Sequence, residues 1–232
     1  TIVHEGAAKT YEYKPAFDSV KTYTVTVTAV GDGGYEFIDS VPFTLTQEVK
    51  QLSAPTITSV SYDKEAYQAD GNIVISVSTE GRELDTGYRY IINDVVVCES
   101  TTQSSYSYNA KNKGAHTAAV IALGGKFDAN GVYYIDSPRA GGNDTAKITL
   151  FDAPNRSSIS ITKDGRITWT AVTNCNRYEL QIFYSDGSSE TVIATGALYN
   201  ATNSADITSI NIRASGNGTT TISSEWVNWT KN

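Results

Sequence analysis

From Tyr23 to Ala29 the chain alternates polar and apolar residues and then reaches Gly31, so the segment Tyr23-Thr-Val25-Thr-Val27-Thr-Ala29-Val-Gly31 reads as a half-buried strand closed by a turn. The same pattern returns as His116-Thr-Ala-Ala-Val120-Ile-Ala122-Leu-Gly124 and again as Thr208-Ser-Ile210-Asn-Ile212-Arg-Ala214-Ser-Gly216. Copies about 93 residues apart make the chain an array of small all-β units. Abundant Tyr, Thr, Ser, Val and Ile, with no Met, suit pleated sheets, and no long amphipathic helix is visible.

The copies align strand by strand. Thr56 to Tyr62, Asn72 to Val77, and Tyr88 to Ile92 open the middle copy, and Asn93-Asp94 then turns the chain into Val95-Val96-Val97. Asn and Asp tolerate the positive φ that a two-residue hairpin needs. In the last copy the equivalents are Ser158 to Thr162, Arg166 to Val172 and Arg177 to Phe183, turning at Asp186-Gly187. Ile38-Asp39-Ser40 also returns unchanged as Ile135-Asp136-Ser137. Leu52-Ser-Ala54-Pro55 and Phe151-Asp-Ala153-Pro154 punctuate the hand-over between copies, because proline does not extend a paired central strand. These signals divide the chain into the end of a first repeat (1–48), a second repeat (49–151) and a third (152–232). Linkers this short predict a stiff, extended rod.

Ile2-Val3-His4-Glu5 aligns with Val96-Val97-Cys98-Glu99, and Tyr11-Glu-Tyr13 with Tyr106-Ser-Tyr108, which places the opening segment in the second half of a repeat. A sandwich without its first strands would bare an apolar face and unpaired edges. An upstream domain, or a neighbouring subunit, is therefore expected to complete the first repeat.

Trp169 on the second strand, Tyr178 on the third, and the Tyr-x-Val-x-Val-x-Ala-Val run followed by glycines together resemble the fibronectin type III pattern. That resemblance implies tandem immunoglobulin-like β-sandwiches of seven strands in two sheets. The Trp position holds Ile75 in the middle copy, and the strand-six Tyr becomes His116 and Thr208, so the tyrosine-corner hydrogen bond is expected only at Tyr23. Repeats of this kind resemble those of secreted or cell-surface bacterial proteins, where they space or anchor other domains.

The formal charge of -7 and pI near 4.8 exclude a nucleic-acid surface, which needs a basic stripe. No apolar run approaches the roughly 18 residues that span a bilayer, so no membrane insertion is expected. His4 and His116 lie in different repeats, which leaves no Ser/His/Asp nucleophile system, and the glycines at 31–34 lack the helix that phosphate cradling requires. The chain reads as no enzyme and calls for no cofactor. Cys98 and Cys175 occupy separate repeats and read as free thiols. Asp128, Asn130 and Asp136 resemble the start of a calcium loop but lack its closing Glu, and a glycine turn at Gly131 is the favoured account of them. Sequons begin at Asn143, Asn155, Asn200, Asn217 and Asn228, a number that abundant Ser and Thr produce by chance.

The clearest candidate ligand surface is in the third repeat. Strand alternation buries Tyr178, Leu180, Ile182, Ile210, Ile212, Val227 and Trp229, and therefore sends Gln181, Phe183, Asn211, Arg213 and Trp226 to one outer sheet face. Aromatic groups flanked by amides and a charge suit a sugar ring or a partner protein. The primary expectation is a non-catalytic spacer or adhesion module. The alternatives are a polysaccharide-binding module using that face, or a filament subunit completed by a neighbour's strand.

Overall fold

The computed structural model describes residues 6–7, 10, 16–31, 37–64, 71–110, 112–143, 146–203 and 206–231. The aligned segments at Ile2 to Glu5 and Tyr11 to Tyr13 lie outside them. Among the described residues, twenty strands follow one another with a single short 3-10 turn at Arg156–Ser158. The first repeat supplies β1 (Lys21–Val27) and most of β2 (Phe43–Gln51), whose last three residues lie past position 48. The second supplies β3 (Ile57–Tyr62), β4 (Asn72–Val77), β5 (Gly87–Ile92), β6 (Val95–Thr101), β7 (Ser105–Asn109), β8 (Gly114–Leu123), β9 (Lys126–Phe127), β10 (Tyr133–Ile135), β11 (Ala140–Gly141) and β12 (Lys147–Leu150). The third supplies β13 (Ser160–Ile161), β14 (Arg166–Thr168), β15 (Arg177–Tyr184), β16 (Ser189–Thr195), β17 (Leu198–Asn200), β18 (Ile207–Ala214), β19 (Thr221–Ile222) and β20 (Val227–Thr230).

Sheet order identifies the fold. In the third repeat β13-β14-β17 forms one sheet and β16-β15-β18-β20 the other; in the second, β3-β4-β7 faces a sheet that contains β12-β8-β5-β6. Both are seven-strand sandwiches of three strands against four, the arrangement of fibronectin type III and related immunoglobulin-like domains. The chain is therefore all-β, built from tandem sandwiches.

Alternation selects the buried sides. Ile73, Ile75, Val77, Tyr88, Tyr90, Ala118, Val120 and Ala122 fill one core. Ile167, Trp169, Tyr178, Leu180, Ile182, Ile210 and Ile212 fill the other, where Trp169 meets Tyr178 edge to face at 5.0 Å. The Asn93-Asp94 turn takes φ values of 48° and 62°, as its residue types predict, and returns β5 into β6. Asp63 closes the β3 to β4 hairpin by accepting the Asn72 backbone N–H at 2.7 Å and its side-chain amide at 2.6 Å.

β1 and β2 form an antiparallel hairpin in which Val25 stands opposite Leu45 and Val27 opposite Phe43. All four side chains are exposed, so the apolar face anticipated from the sequence is open among the described residues. Tyr23 makes its corner contact: its hydroxyl reaches Asp18 Oδ1 at 3.0 Å and faces the Asp18 backbone N–H at 3.4 Å. At the aligned position of the second repeat, His116 makes a contact of another kind. Its buried ring reaches back to the Asn112 carbonyl at 2.6 Å through Nε2 and meets the Asn93 side-chain amide at 3.2 Å through Nδ1, so imidazole substitutes for phenol at the corner.

Hydrogen bonds from Asn72, the backbone N–H foremost, hold the Asp63 carboxyl below the usual carboxylate range of about 3.8. A carboxylate with a lowered folded value stabilises above its unfolded value and loses that contribution as pH falls through the folded one. The protection factor of the Asn72 amide should therefore fall on acidification below about pH 4, ahead of those of the core amides, and Asp63→Asn should remove that pH dependence.

Candidate functional site

The outer face of the third repeat is built from three adjacent strands. Gln181 on β15 stands opposite Asn211 on β18, and Asn211 opposite Asn228 on β20. Their amides form a ladder: Asn211 Nδ2 donates to Gln181 Oε1 at 3.0 Å, and Asn228 Nδ2 donates to Asn211 Oδ1 at 2.9 Å. Phe183 is exposed at the β15 end of this face, and Ile193 of β16 is exposed beside Glu179. The five residues that alternation places on this face do lie there.

Arg213 departs from the expectation of an exposed charge, because only 4% of it is exposed. Its Nε donates to Glu179 Oε2 at 3.0 Å, Nη2 also pairs with that carboxylate, and the Trp226 ring lies 4.3 Å from the guanidinium carbon. The cation is enclosed between a carboxylate and an aromatic face, and one side of the Trp226 ring is occupied by it. Alternation along β18 fixes the direction of Arg213 but not the coverage by the residue preceding β20. What this face offers a ligand is the amide ladder, Phe183 and the accessible part of the half-buried Trp226.

A second constellation emerges at the turn after strand six, and it recurs in all three repeats. The Gly31 amide donates to Asp39 Oδ1 at 2.8 Å, Gly124 to Asp136 Oδ1 at 3.0 Å, and Gly216 to Ser223 Oγ at 2.8 Å. Two residues earlier, the amides of Ala29, Ala122 and Ala214 donate to the hydroxyls of Ser40, Ser137 and Ser224 at 2.9, 2.9 and 3.1 Å. The serine amides return to the carbonyls of the same alanines at 2.8, 2.8 and 3.0 Å. Each glycine lets the returning chain lie against strand six: a β-carbon there would strike the carbonyl of Phe37, Tyr134 or Thr221. Ile222-Ser223-Ser224 is the third copy of the Ile-Asp-Ser motif. Sequence reading missed it because serine stands in for aspartate, yet the glycine six residues upstream was a usable signal.

This clamp presents a short strand edge, and the preceding linker pairs with it. β2 runs parallel to β10, with Ile135 opposite Gln51, and the Leu52 amide donates to the Ile135 carbonyl at 3.1 Å. β12 runs parallel to β19 in the same register, with Ile222 opposite Leu150, and the Phe151 amide donates to the Ile222 carbonyl, again at 3.1 Å. Ile222 is fully buried and packs into the core of the second repeat. At the first junction, Phe17, Tyr23, Tyr133 and Phe127 make a chain of ring contacts at 4.7 to 5.0 Å. The buried Arg82 to Asp85 pair, at 2.7 Å, aims Arg82 Nη1 at the Ser53 carbonyl and hydroxyl, both at 2.9 Å.

The calcium candidates serve separate turns. Asp128 Oδ1 accepts the backbone N–H groups of Asn130 and Val132, both at 2.9 Å, whereas Asp136 holds Gly124 and lies 3.5 Å from Arg89 Nη1. No group of three or more His, Cys, Asp or Glu is arranged for a metal among the described residues. Cys98 and Cys175 are free, half-buried thiols packed against the two cores. No helix of the described chain is long and apolar enough to cross a membrane.

No protein-family model matches the chain, and no curated protein is significantly similar to it. Among solved structures, a two-domain fibronectin type III segment of chicken tenascin is 14% identical with a TM-score of 0.33, over 78% of this chain and 98% of that one. The FN1-FN3 domains of chicken CNTN1 are 13% identical with a TM-score of 0.30, over 91% of this chain and 76% of that one. The order of the strands, three facing four in each complete repeat, identifies the fold.

Two substitutions test this account of the site. Glu179→Leu removes the carboxylate from an enclosed Arg213 and should cost about 2–4 kcal/mol in chemical denaturation. Gly216→Ala forces a methyl group against the Thr221 carbonyl and should destabilise the third repeat by about 1–3 kcal/mol.

Proposed function

We propose that the chain is a non-catalytic structural and interaction module of a secreted or cell-surface protein, with units at 1–48, 49–151 and 152–232 that hold flanking parts at a set spacing. The observation that carries this reading is the junction. Twice, the end of one repeat is hydrogen-bonded in the same register to the clamped hairpin of the next. Each such hydrogen bond contributes only about 0.5–1.5 kcal/mol, but burial of Ile222 in the second repeat adds apolar contact across the boundary. A spacer needs this property, since flexible linkers would let neighbouring domains reorient freely.

The experiment is backbone ¹⁵N relaxation of the full chain. The second and third repeats should report one common rotational correlation time. Ile222→Asp, which puts a carboxylate where the second core receives an apolar side chain, should separate them into two shorter times while both spectra stay dispersed. Independent tumbling of the two repeats in the unaltered chain would overturn the spacer reading.

A second reading places a partner protein or a polysaccharide on the outer face of the third repeat, supported by the exposed Phe183 and Ile193 beside the amide ladder. Phe183→Ala should then abolish retention on an immobilised polysaccharide or partner without changing the melting temperature. Trp226→Ala would lower both, because it also uncovers Arg213.

A further inference from the structure

We infer that the Phe37-Ile38 edge of the first repeat is a preformed acceptor for the terminal strand of another repeat of this type, bound by parallel strand addition. The inference rests on the junction reading above and extends it to a surface that no segment of the described chain covers. Ile38 occupies the place of Ile135 and Ile222, one residue before the Asp or Ser that holds the glycine amide. The first-repeat clamp is complete: Gly31 to Asp39, Ala29 to Ser40 and Ser40 to Ala29 all lie at 2.8 to 2.9 Å. The edge is therefore held in its accepting shape without an incoming strand.

Exposure separates the first copy from the other two, in which Ile135 is half-buried and Ile222 buried. Ile222 is fully buried under the end of the second repeat, whereas Ile38 is 86% exposed and Phe37 63% exposed. At both internal junctions the occupant is the same kind of segment. It is extended, lies parallel to the edge, and donates one backbone N–H to the isoleucine carbonyl from an apolar residue followed by x-Ala-Pro. Leu52 and Phe151 are those donors. Equal register at two sites defines the chemistry the third would take: an apolar residue whose amide reaches the Ile38 carbonyl, with the preceding residue opposite Ile38. Strand addition of this sort draws affinity from main-chain hydrogen bonds and selectivity from the flanking side chains.

The probe is a synthetic peptide spanning residues 146–156 of this chain, titrated into the ¹⁵N-labelled full chain. The expected result is saturable binding below about 1 mM, with the largest amide shifts at Phe37, Ile38 and Asp39. N-methylation of the peptide at the Phe151 position removes the donated N–H and should weaken binding at least tenfold, and Ile38→Asp, at an exposed side chain, should do the same. Absence of shifts at Ile38 in 1 mM peptide, or equal affinity of the N-methylated peptide, would overturn the inference. Shifts confined to Ile222 would do so too, since they would mark exchange at the internal junction. Failure here with a common correlation time intact would remove the acceptor edge and leave the spacer reading standing.

Discussion

Everything beyond the individual sandwiches depends on the backbone clamp between strand six and the returning hairpin. Three amide donors and two side-chain oxygens hold the returning segment against its own repeat, so its far edge is fixed in space before any neighbour arrives. A strand edge of two or three residues is ordinarily too short to select a partner, because ordering it costs about as much as its hydrogen bonds return. Here the ordering cost is met inside the repeat. The linker then pairs with a rigid template, and the glycine makes this possible by admitting the hairpin at backbone contact distance.

The junction also explains why the ends of the sandwiches are apolar. Leu52 and Phe151 end the linker strands, yet both are buried, and Ile222 packs in a core that belongs to the preceding repeat. Adjacent repeats thus share side chains as well as hydrogen bonds. The third-repeat outer face follows a different logic. Arg213 is neutralised by Glu179 and covered by Trp226, so it serves as a strut for the sheet, and polar recognition there falls to neutral amides.

What was legible in the sequence was whatever has a period or a local chemical demand. Alternation identified Leu180, Ile182, Ile210 and Ile212 as core and turned Gln181 and Asn211 outward, because side chains must alternate along any strand. Asn93-Asp94 was readable as a turn because both residues needed positive φ. The pairing of β12 with β19 was not readable: two residues in parallel, far apart in sequence, leave no periodic trace. Ser223 concealed the third clamp, since its hydroxyl accepts from Gly216 as Asp39 accepts from Gly31. The burial of Arg213 escaped because alternation assigns a face but is silent about what lies over it. His116 escaped for a related reason: the corner requires an acceptor or donor at the right reach, not a particular ring.

The order of residues in the junction has a consequence in time. A chain made from its N-terminus produces Leu52 long before Ile135, and Phe151 long before Ile222. Each finished sandwich therefore emerges from synthesis with its trailing end unsealed and waits for nearly the whole of its successor before that end closes. Each repeat, once complete, seals the one before it.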